Sequence, residues 1–242
     1  MNAKYFAFET ECDCIPRLVI LILKQMRVKR KMIMKKCVIV GGAEIKEKAY
    51  IKSLLSKEDF YIFCDRGLDH LDMIREVTER DPDLSVGDFD SHREPSEGEV
   101  IKLPREKDDT DTFYAVKEGI KRGFDDFLLI GMIGERIDHT LGNISILLYL
   151  FERGKKAVCA DDYCEMLMVG QTPEYIEDSY QYFSLLNVCG TAKDIHIKDA
   201  KFPLEGGEIK PDYQYGISNE VLPGKRACVS VGEGNLLLTK IR

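Results

Sequence analysis

From position 36 onward, short apolar runs alternate with amphipathic stretches, and glycine or aspartate closes most of the runs. Residues 37–40 read as a strand ended by Gly41 and Gly42, with a helix following to about Leu55. Residues 60–64 (FYIFC) read as a second strand with Asp65 at its carboxyl end. Leu71, Ile74 and Val77 then share one face of a helix over 69–80. Residues 84–86 form a third strand, again ended by a glycine and an aspartate, and 100–103 a fourth. Phe113, Val116 and Ile120 recur at helical spacing within 110–122, a helix capped by Asp109 or Thr110 and closed by Gly123. Residues 127–130 give a fifth strand, and 137–151 a further helix ending before Gly154.

Strands and helices in this alternation predict an α/β domain over residues 34–155, with a mainly parallel sheet flanked by helices. Such sheets bind ligands beyond the carboxyl ends of their strands. Asp65, Asp88 and the loop 131–138 fall at those ends. After about Lys155 the texture changes. Short candidate strands at 157–160, 165–169, 182–187, 194–197, 227–231 and 236–241 are separated by turn-forming residues, with no helix between them. They predict a C-terminal antiparallel β-sandwich domain over 156–242. Residues 1–33 stand apart as an N-terminal extension. Either it is an appended helix or the start lies at Met34, where MKKCVIVGG reads as a natural beginning.

Composition narrows the function classes. The 242 residues are 44% hydrophobic and 32% charged, as in a globular protein with a sizeable core. A formal net charge of -7 argues against a nucleic-acid partner, since binding phosphodiester chains takes a basic surface. A small phosphate ligand remains compatible, because a bound divalent cation inverts the local field. The eight cysteines include no CxxC pair, and Cys37, Cys64, Cys189 and Cys228 lie singly in apolar runs. Reduced, buried thiols are expected, with neither disulfides nor zinc. Residues 15–23 (IPRLVILIL) are too few to cross a bilayer, contain Arg17 and follow the acidic Glu9, Glu11 and Asp13. A cytoplasmic protein with no membrane partner is expected.

Three acidic clusters carry the candidate chemistry: GDFDS at 87–91, KDDTDT at 107–112 and GERIDH at 134–139. Asp88 and Asp90, two apart at an extended strand end, point the same way and can reach one ion, while Gly87 lets backbone approach. Read alone, the pentapeptide equally suits an aspartate-rich surface turn. Asp108, Asp109 and Asp111 open a helix, where carboxylates also serve as ordinary caps. Arg136 and Asp138 lie in a glycine-flanked loop opening another helix, a place suited to phosphate oxygens. A plain cap at Asp138 fits as well, and His139 reads as structural. Crowded carboxylates repel one another unless a cation holds them. Hard aspartate oxygens point to magnesium and, through it, to a phosphate-bearing substrate. There is no GxxxxGK[ST] loop, which excludes a Walker-type kinase.

Taken in order, these motifs resemble those of the thiamine pyrophosphokinase family. CDRGLDHL at 64–71 matches an ADGGANHL-like segment. GDFDS, KDDTD at 107–111, GERIDHTLGN at 134–143, FPLEGGEI at 202–209 and a late SNE at 218–220 follow. The resemblance runs from about Met34 to the C-terminus. It implies transfer of the pyrophosphoryl group of ATP to the hydroxyethyl group of thiamine, giving thiamine diphosphate and AMP. It also implies a homodimer that holds thiamine near its interface. Carried over residue by residue, it implies magnesium on Asp88, Asp90 and Asp111, and a nucleotide and phosphate site lined by Asp65, Thr110, Arg136 and Asp138. Ser218 and Asn219 would approach the thiamine, and either Asp111 or Asp90 would take the acceptor proton.

The chain departs from the family pattern at Arg66, Leu68 and Asp69, where Gly, Ala and Asn are usual, and at Gly142, where Ala is usual. It has no tryptophan, so stacking on thiamine would fall to Phe202, Tyr213 or Tyr215. Two other classes compete. A magnesium-dependent phosphohydrolase would use an aspartate nucleophile, but its DxD follows the first strand rather than the third. A thiamine or nucleotide sensor without activity would have no need of the retained carboxylates.

Overall fold

The computed structural model describes residues 36–242 apart from 90–97, Lys107 and Glu135. The 1–33 extension and Asp90 lie outside the described residues. Cys37–Val40 (β1), Phe60–Cys64 (β2), Leu84–Gly87 (β3) and Asp126–Ile130 (β5) are buried along almost their whole length. Strands covered by helices on both faces read as continuous apolar runs for this reason. Glu99–Lys102 (β4), with both ends exposed, forms the sheet edge. β1 pairs in parallel with β2 and β5, β2 with β3, and β3 with β4.

Helices Lys48–Ser53 (α1) and Leu71–Thr78 (α2) bring Ile51, Met73 and Ile74 onto one sheet face, against Val38, Val40, Tyr61, Phe63, Leu128 and Ile130. Asp111–Lys121 (α3) packs on β1, β2 and β3, and Ile137–Phe151 (α4) on the strand that follows it. That strand, Lys156–Ala160 (β6), corrects an expectation. Residues 157–160 were expected among the antiparallel strands, yet β6 pairs in parallel with β5. The fifteen-residue α4 carries the chain back along the sheet, as a parallel crossover requires.

Direction reverses only at the next turn. Cys164–Val169 (β7) folds back antiparallel on β6, and the sheet continues through Leu236–Ile241 (β14), Tyr182–Leu186 (β9) and Gly216–Asn219 (β12). One ten-stranded sheet therefore runs through both halves of the chain. A second sheet, Leu204–Ile209 (β11), Ala192–Lys198 (β10), Arg226–Glu233 (β13) and Glu174–Glu177 (β8), completes the sandwich. Phe183, Leu185, Ile195, Val229, Val231 and Leu238 fill the space between the sheets. A polar junction ties α1 to this half. Tyr50 hydrogen-bonds to Glu165 on β7, whose other oxygen takes Lys240 of β14 at 2.6 Å.

The α/β and β-sandwich classes expected from the sequence are both present. Several bounds differ. The helix expected to reach Leu55 stops at Ser53, because Leu54 and Leu55 bond back only three residues. The helix expected over 69–80 is a 3₁₀ turn, Asp65–His70, running into α2, which Glu79 ends in a left-handed conformation. Strands β8, β11 and β12 escaped the sequence reading. β8 buries only Ile176, and β11 and β12 pair with irregular register. Among the described residues all cysteines are free. Cys37, Cys64, Cys159 and Cys164 are buried, whereas Cys189 and Cys228 are only partly so. No described helix is long and apolar enough to cross a membrane.

Gly119 shows how closely α3 sits on the sheet. A Cβ there would lie 2.8 Å from the Phe127 ring and 3.0 Å from the Cys37 sulfur. Glycine to alanine inside a helix ordinarily stabilises by about 1 kcal/mol. Here overpacking of roughly 1–3 kcal/mol opposes that gain. Gly119→Ala is expected to lower the urea midpoint, and a raised midpoint would show that the interface is looser than this.

Candidate active site

All parallel strands end on one edge of the sheet, and the loops leaving them there pack backbone against backbone. Gly41 N donates to Ile130 O at 2.8 Å and Ala43 N to Gly131 O at 2.9 Å, joining the loop after β1 to the loop after β5. The 3₁₀ turn after β2 presses on the end of β1, so that a Cβ at Gly67 would fall 2.1 Å from Val40 O. His70 closes that turn with its Nε2 2.8 Å from Ala43 O. Burial lowers the His70 pKa, so the ring is neutral and donates its Nε2–H to the carbonyl.

Asp65 opens the turn at φ 40°, a left-handed setting that a non-glycine residue adopts only under local constraint. Gly87 makes room for it. A Cβ at position 87 would stand 3.2 Å from both Cα and Cβ of Asp65. The glycine of GDFDS thus serves the neighbouring strand's aspartate. Asp88 follows, half-buried at the carboxyl end of β3. Across the edge Thr110 caps α3, its hydroxyl accepting from Phe113 N at 3.2 Å, and Asp111 lies in the first turn. Asp109 pairs with Lys117, which gives it a structural role, and Asp108 is exposed.

Cys64, the last residue of β2 and the neighbour of Asp65, is buried. Burial first, then the charge of Asp111, push its thiol well above the usual range, with Asp65 adding to the effect and a hydrogen bond from Thr112 opposing it. Asp65 and Asp111, from different elements, both act electrostatically on this thiol, and Oδ1 of each is shielded from solvent. Among the described residues no three His, Cys, Asp or Glu are gathered around one point as a finished metal site, and Asp90 is not among them. The donor chemistry still suits a hard divalent cation. The groups at the edge are carboxylates, and the thiol beside them stays protonated.

Arg136 occupies the N-cap position of α4 and grips Asp138 with two bonds, Nε to Oδ1 at 2.9 Å and a terminal nitrogen to Oδ2 at 2.6 Å. The Arg136 bond holds the Asp138 carboxyl well below the usual carboxylate range. Both side chains stand in solvent, 70% and 64% exposed. Asn143 of the same motif is buried and donates to Met132 O at 2.7 Å, fastening α4 to the loop after β5. The motif residues alone had given Asn143 and His70 no role. Arg66 and Asp69, two departures from the family pattern, form an ion pair with each other at 3.7 Å.

In the sandwich half, Asn219 is 5% exposed and makes three side-chain hydrogen bonds. Its Oδ1 accepts from Phe202 N at 3.0 Å and Glu220 N at 2.9 Å, while its Nδ2 donates to Phe202 O at 2.7 Å. The amide clamps the segment that displays the Phe202 ring, itself 59% exposed. Ser218 is exposed at φ 60° and its N–H bonds to Ser184 Oγ. Tyr213 and Tyr215 lie 5.5 Å apart, and the Tyr215 hydroxyl donates to Glu208 O.

Comparison with known proteins decides the assignment. Residues 51–160 match the family model for the thiamin pyrophosphokinase catalytic domain, and 171–236 the model for its vitamin B1 binding domain. The chain belongs to the thiamine pyrophosphokinase family. The thiamine pyrophosphokinase of Bacillus subtilis (strain 168) is 26% identical over 168 residues, covering 66% of this chain and 78% of the relative. A crystal structure of the Bacillus subtilis protein superposes with a TM-score of 0.75 at 24% identity, covering 86% of this chain and 99% of that one. Thiamin pyrophosphokinase from Candida albicans gives 0.68 at 14% identity, covering 86% and 90%. The structural likenesses establish the fold. As a thiamine pyrophosphokinase the protein is an enzyme, a transferase moving a pyrophosphoryl group from ATP to thiamine. The catalytic match ends at the last residue of β6, where the sheet turns from parallel to antiparallel.

The half-buried His70 gives this edge a pH signature. Unfolded histidine takes up a proton near its ordinary pKa of about 6.5. The folded ring, with its pKa lowered, resists protonation, so the stability it contributes is complete above that value and declines as pH falls through the folded pKa. Between pH 7 and pH 5 the parent chain should lose more thermal stability than His70→Gln, as read from melting temperatures across that range. Parallel losses would contradict a neutral His70.

Proposed function

We propose that this thiamine pyrophosphokinase forms thiamine diphosphate and AMP with magnesium held at the carboxyl edge of its parallel sheet. We further propose that it works as a cytoplasmic homodimer. The observation that carries the site assignment is the close approach of Asp65 to Gly87, the strand end that bears Asp88, with Asp111 in the first turn of α3 and Oδ1 of both aspartates buried. In this reading Asp88, Asp90 and Asp111 hold the cation, and Asp65 and Thr110 line the phosphate side. The cation, when bound, neutralises charge on the phosphate oxygens.

Arg136 is poised to exchange its carboxylate partner for phosphate oxygens. An exposed ion pair contributes little to stability, so releasing Asp138 costs little, and the planar fork suits two oxygens at once. Asp111 or Asp90 takes the proton of the thiamine hydroxyl. On the sandwich side Ser218 offers its hydroxyl, and Asn219 acts by holding Phe202 in place for an apolar or stacking contact. The dimer draws support from exposed apolar side chains. Ile137 and Leu141, one helical turn apart on α4, are 65% and 59% exposed, and Ile217 of β12 is 55% exposed.

Separation of nucleotides after reaction tests the assignment. AMP is expected, and only when thiamine and magnesium are both present. ADP as the main product, or phosphate released from ATP without thiamine, would overturn it. Asp111→Asn should lower turnover about 100-fold, the upper range for losing a group at a metal site, with the melting temperature unchanged or raised.

A further inference from the structure

Asp162 lies in the turn between β6 and β7, within residues 161–170 that separate the two family-matched segments. Its neighbour Asp161 serves the turn itself, accepting from Tyr163 N at 2.8 Å and Cys164 N at 2.7 Å. Asp162 points elsewhere. Its Oδ1 accepts from Lys46 N at 3.1 Å and Glu47 N at 2.9 Å, and its Oδ2 from Lys46 N at 2.9 Å. These N–H groups precede α1, whose own N-cap residue Glu47 makes no side-chain bond and whose first turn has no acidic residue. A carboxylate from a turn more than a hundred residues away supplies what the local sequence lacks.

The loop held this way is the one on which the catalytic edge leans. Ala43 receives His70 through its carbonyl and donates to Gly131 O, and a Cβ at Gly134 would lie 3.0 Å from Ala43 Cβ. His70 ends the turn that Asp65 begins, and Gly131 and Gly134 lead into Arg136. We propose that Asp162 is a positioning residue for the nucleotide side of the site. It fixes the loop 41–47 and, through it, both the Asp65 turn and the Arg136 loop. The first turn of the antiparallel half thereby sets the geometry of the parallel half's active edge.

Calorimetric titration of Asp162→Ala with ATP and magnesium, and separately with thiamine, tests this. Affinity for the nucleotide should fall about tenfold, the lower range for losing a supporting hydrogen bond around a metal site. Thiamine affinity should be unchanged. Asp162→Asn keeps an oxygen where Oδ1 meets both N–H groups and should restore most of the nucleotide affinity. If Asp162→Ala does not melt cooperatively, Asp162→Ser takes its place under the same criteria. Unchanged nucleotide affinity, or equal loss for both ligands, or an Asn variant as weak as Ala, would overturn the inference. Because binding is read rather than turnover, a parent chain that binds ATP but forms no AMP would bring down the proposed reaction and leave this inference standing.

Discussion

A Cβ at Gly67 would lie 2.1 Å from the Val40 carbonyl oxygen, and one at Gly87 3.2 Å from the Cα of Asp65. These two approaches leave room for backbone alone where β1, β2 and β3 hand over to their loops. Because the strand ends and the turn approach so closely, Asp65 can be held at a left-handed φ where its turn begins. Strain of this kind, on the order of 1–3 kcal/mol, persists only when neighbours over-determine it. Here the neighbours are the end of β1, the Ala43 carbonyl that His70 bonds and the glycine of GDFDS.

The electrostatics follow from that packing. Burial first, and then the charges of Asp111 and Asp65, keep the Cys64 thiol protonated. The guanidinium of the next loop stays outside, paired with Asp138 in solvent, where exchange for another anion is cheap. The sandwich half contributes in a different way. Its motif residue Asn219 bonds the backbone of Phe202 twice and that of Glu220 once, so its influence passes through the segment it holds.

Much of this was legible in the sequence, for physical reasons that differ from element to element. Residues 60–64, 137–151 and 236–241 were bounded correctly because continuous apolar runs or a helical repeat ended at clear polar or glycine breaks. The carboxylates could be placed because a parallel sheet puts its ligands at the strand ends. β6 was misread because a short apolar strand looks alike in parallel and antiparallel sheets, and only the α4 crossover decides its direction. The roles of His70, Asn143 and Asp162 depend on partners 27, 11 and more than a hundred residues away, which no local pattern encodes. That Arg66 and Asp69 pair with each other also required their relative placement along the 3₁₀ turn.

Turnover of Gly87→Ala, measured as thiamine-dependent AMP formation across a magnesium titration, tests most directly whether backbone packing at the edge sets the carboxylates proposed to hold the cation. The added Cβ, at 3.2 Å from Asp65, must displace that residue by a few tenths of an ångström while the rest of the sheet stays intact. A cooperatively melting variant with turnover reduced about tenfold or more, and a higher magnesium requirement, is the expected result. Parental turnover at the parental magnesium concentration would contradict the claim that the close approach of Gly87 to Asp65 positions the site.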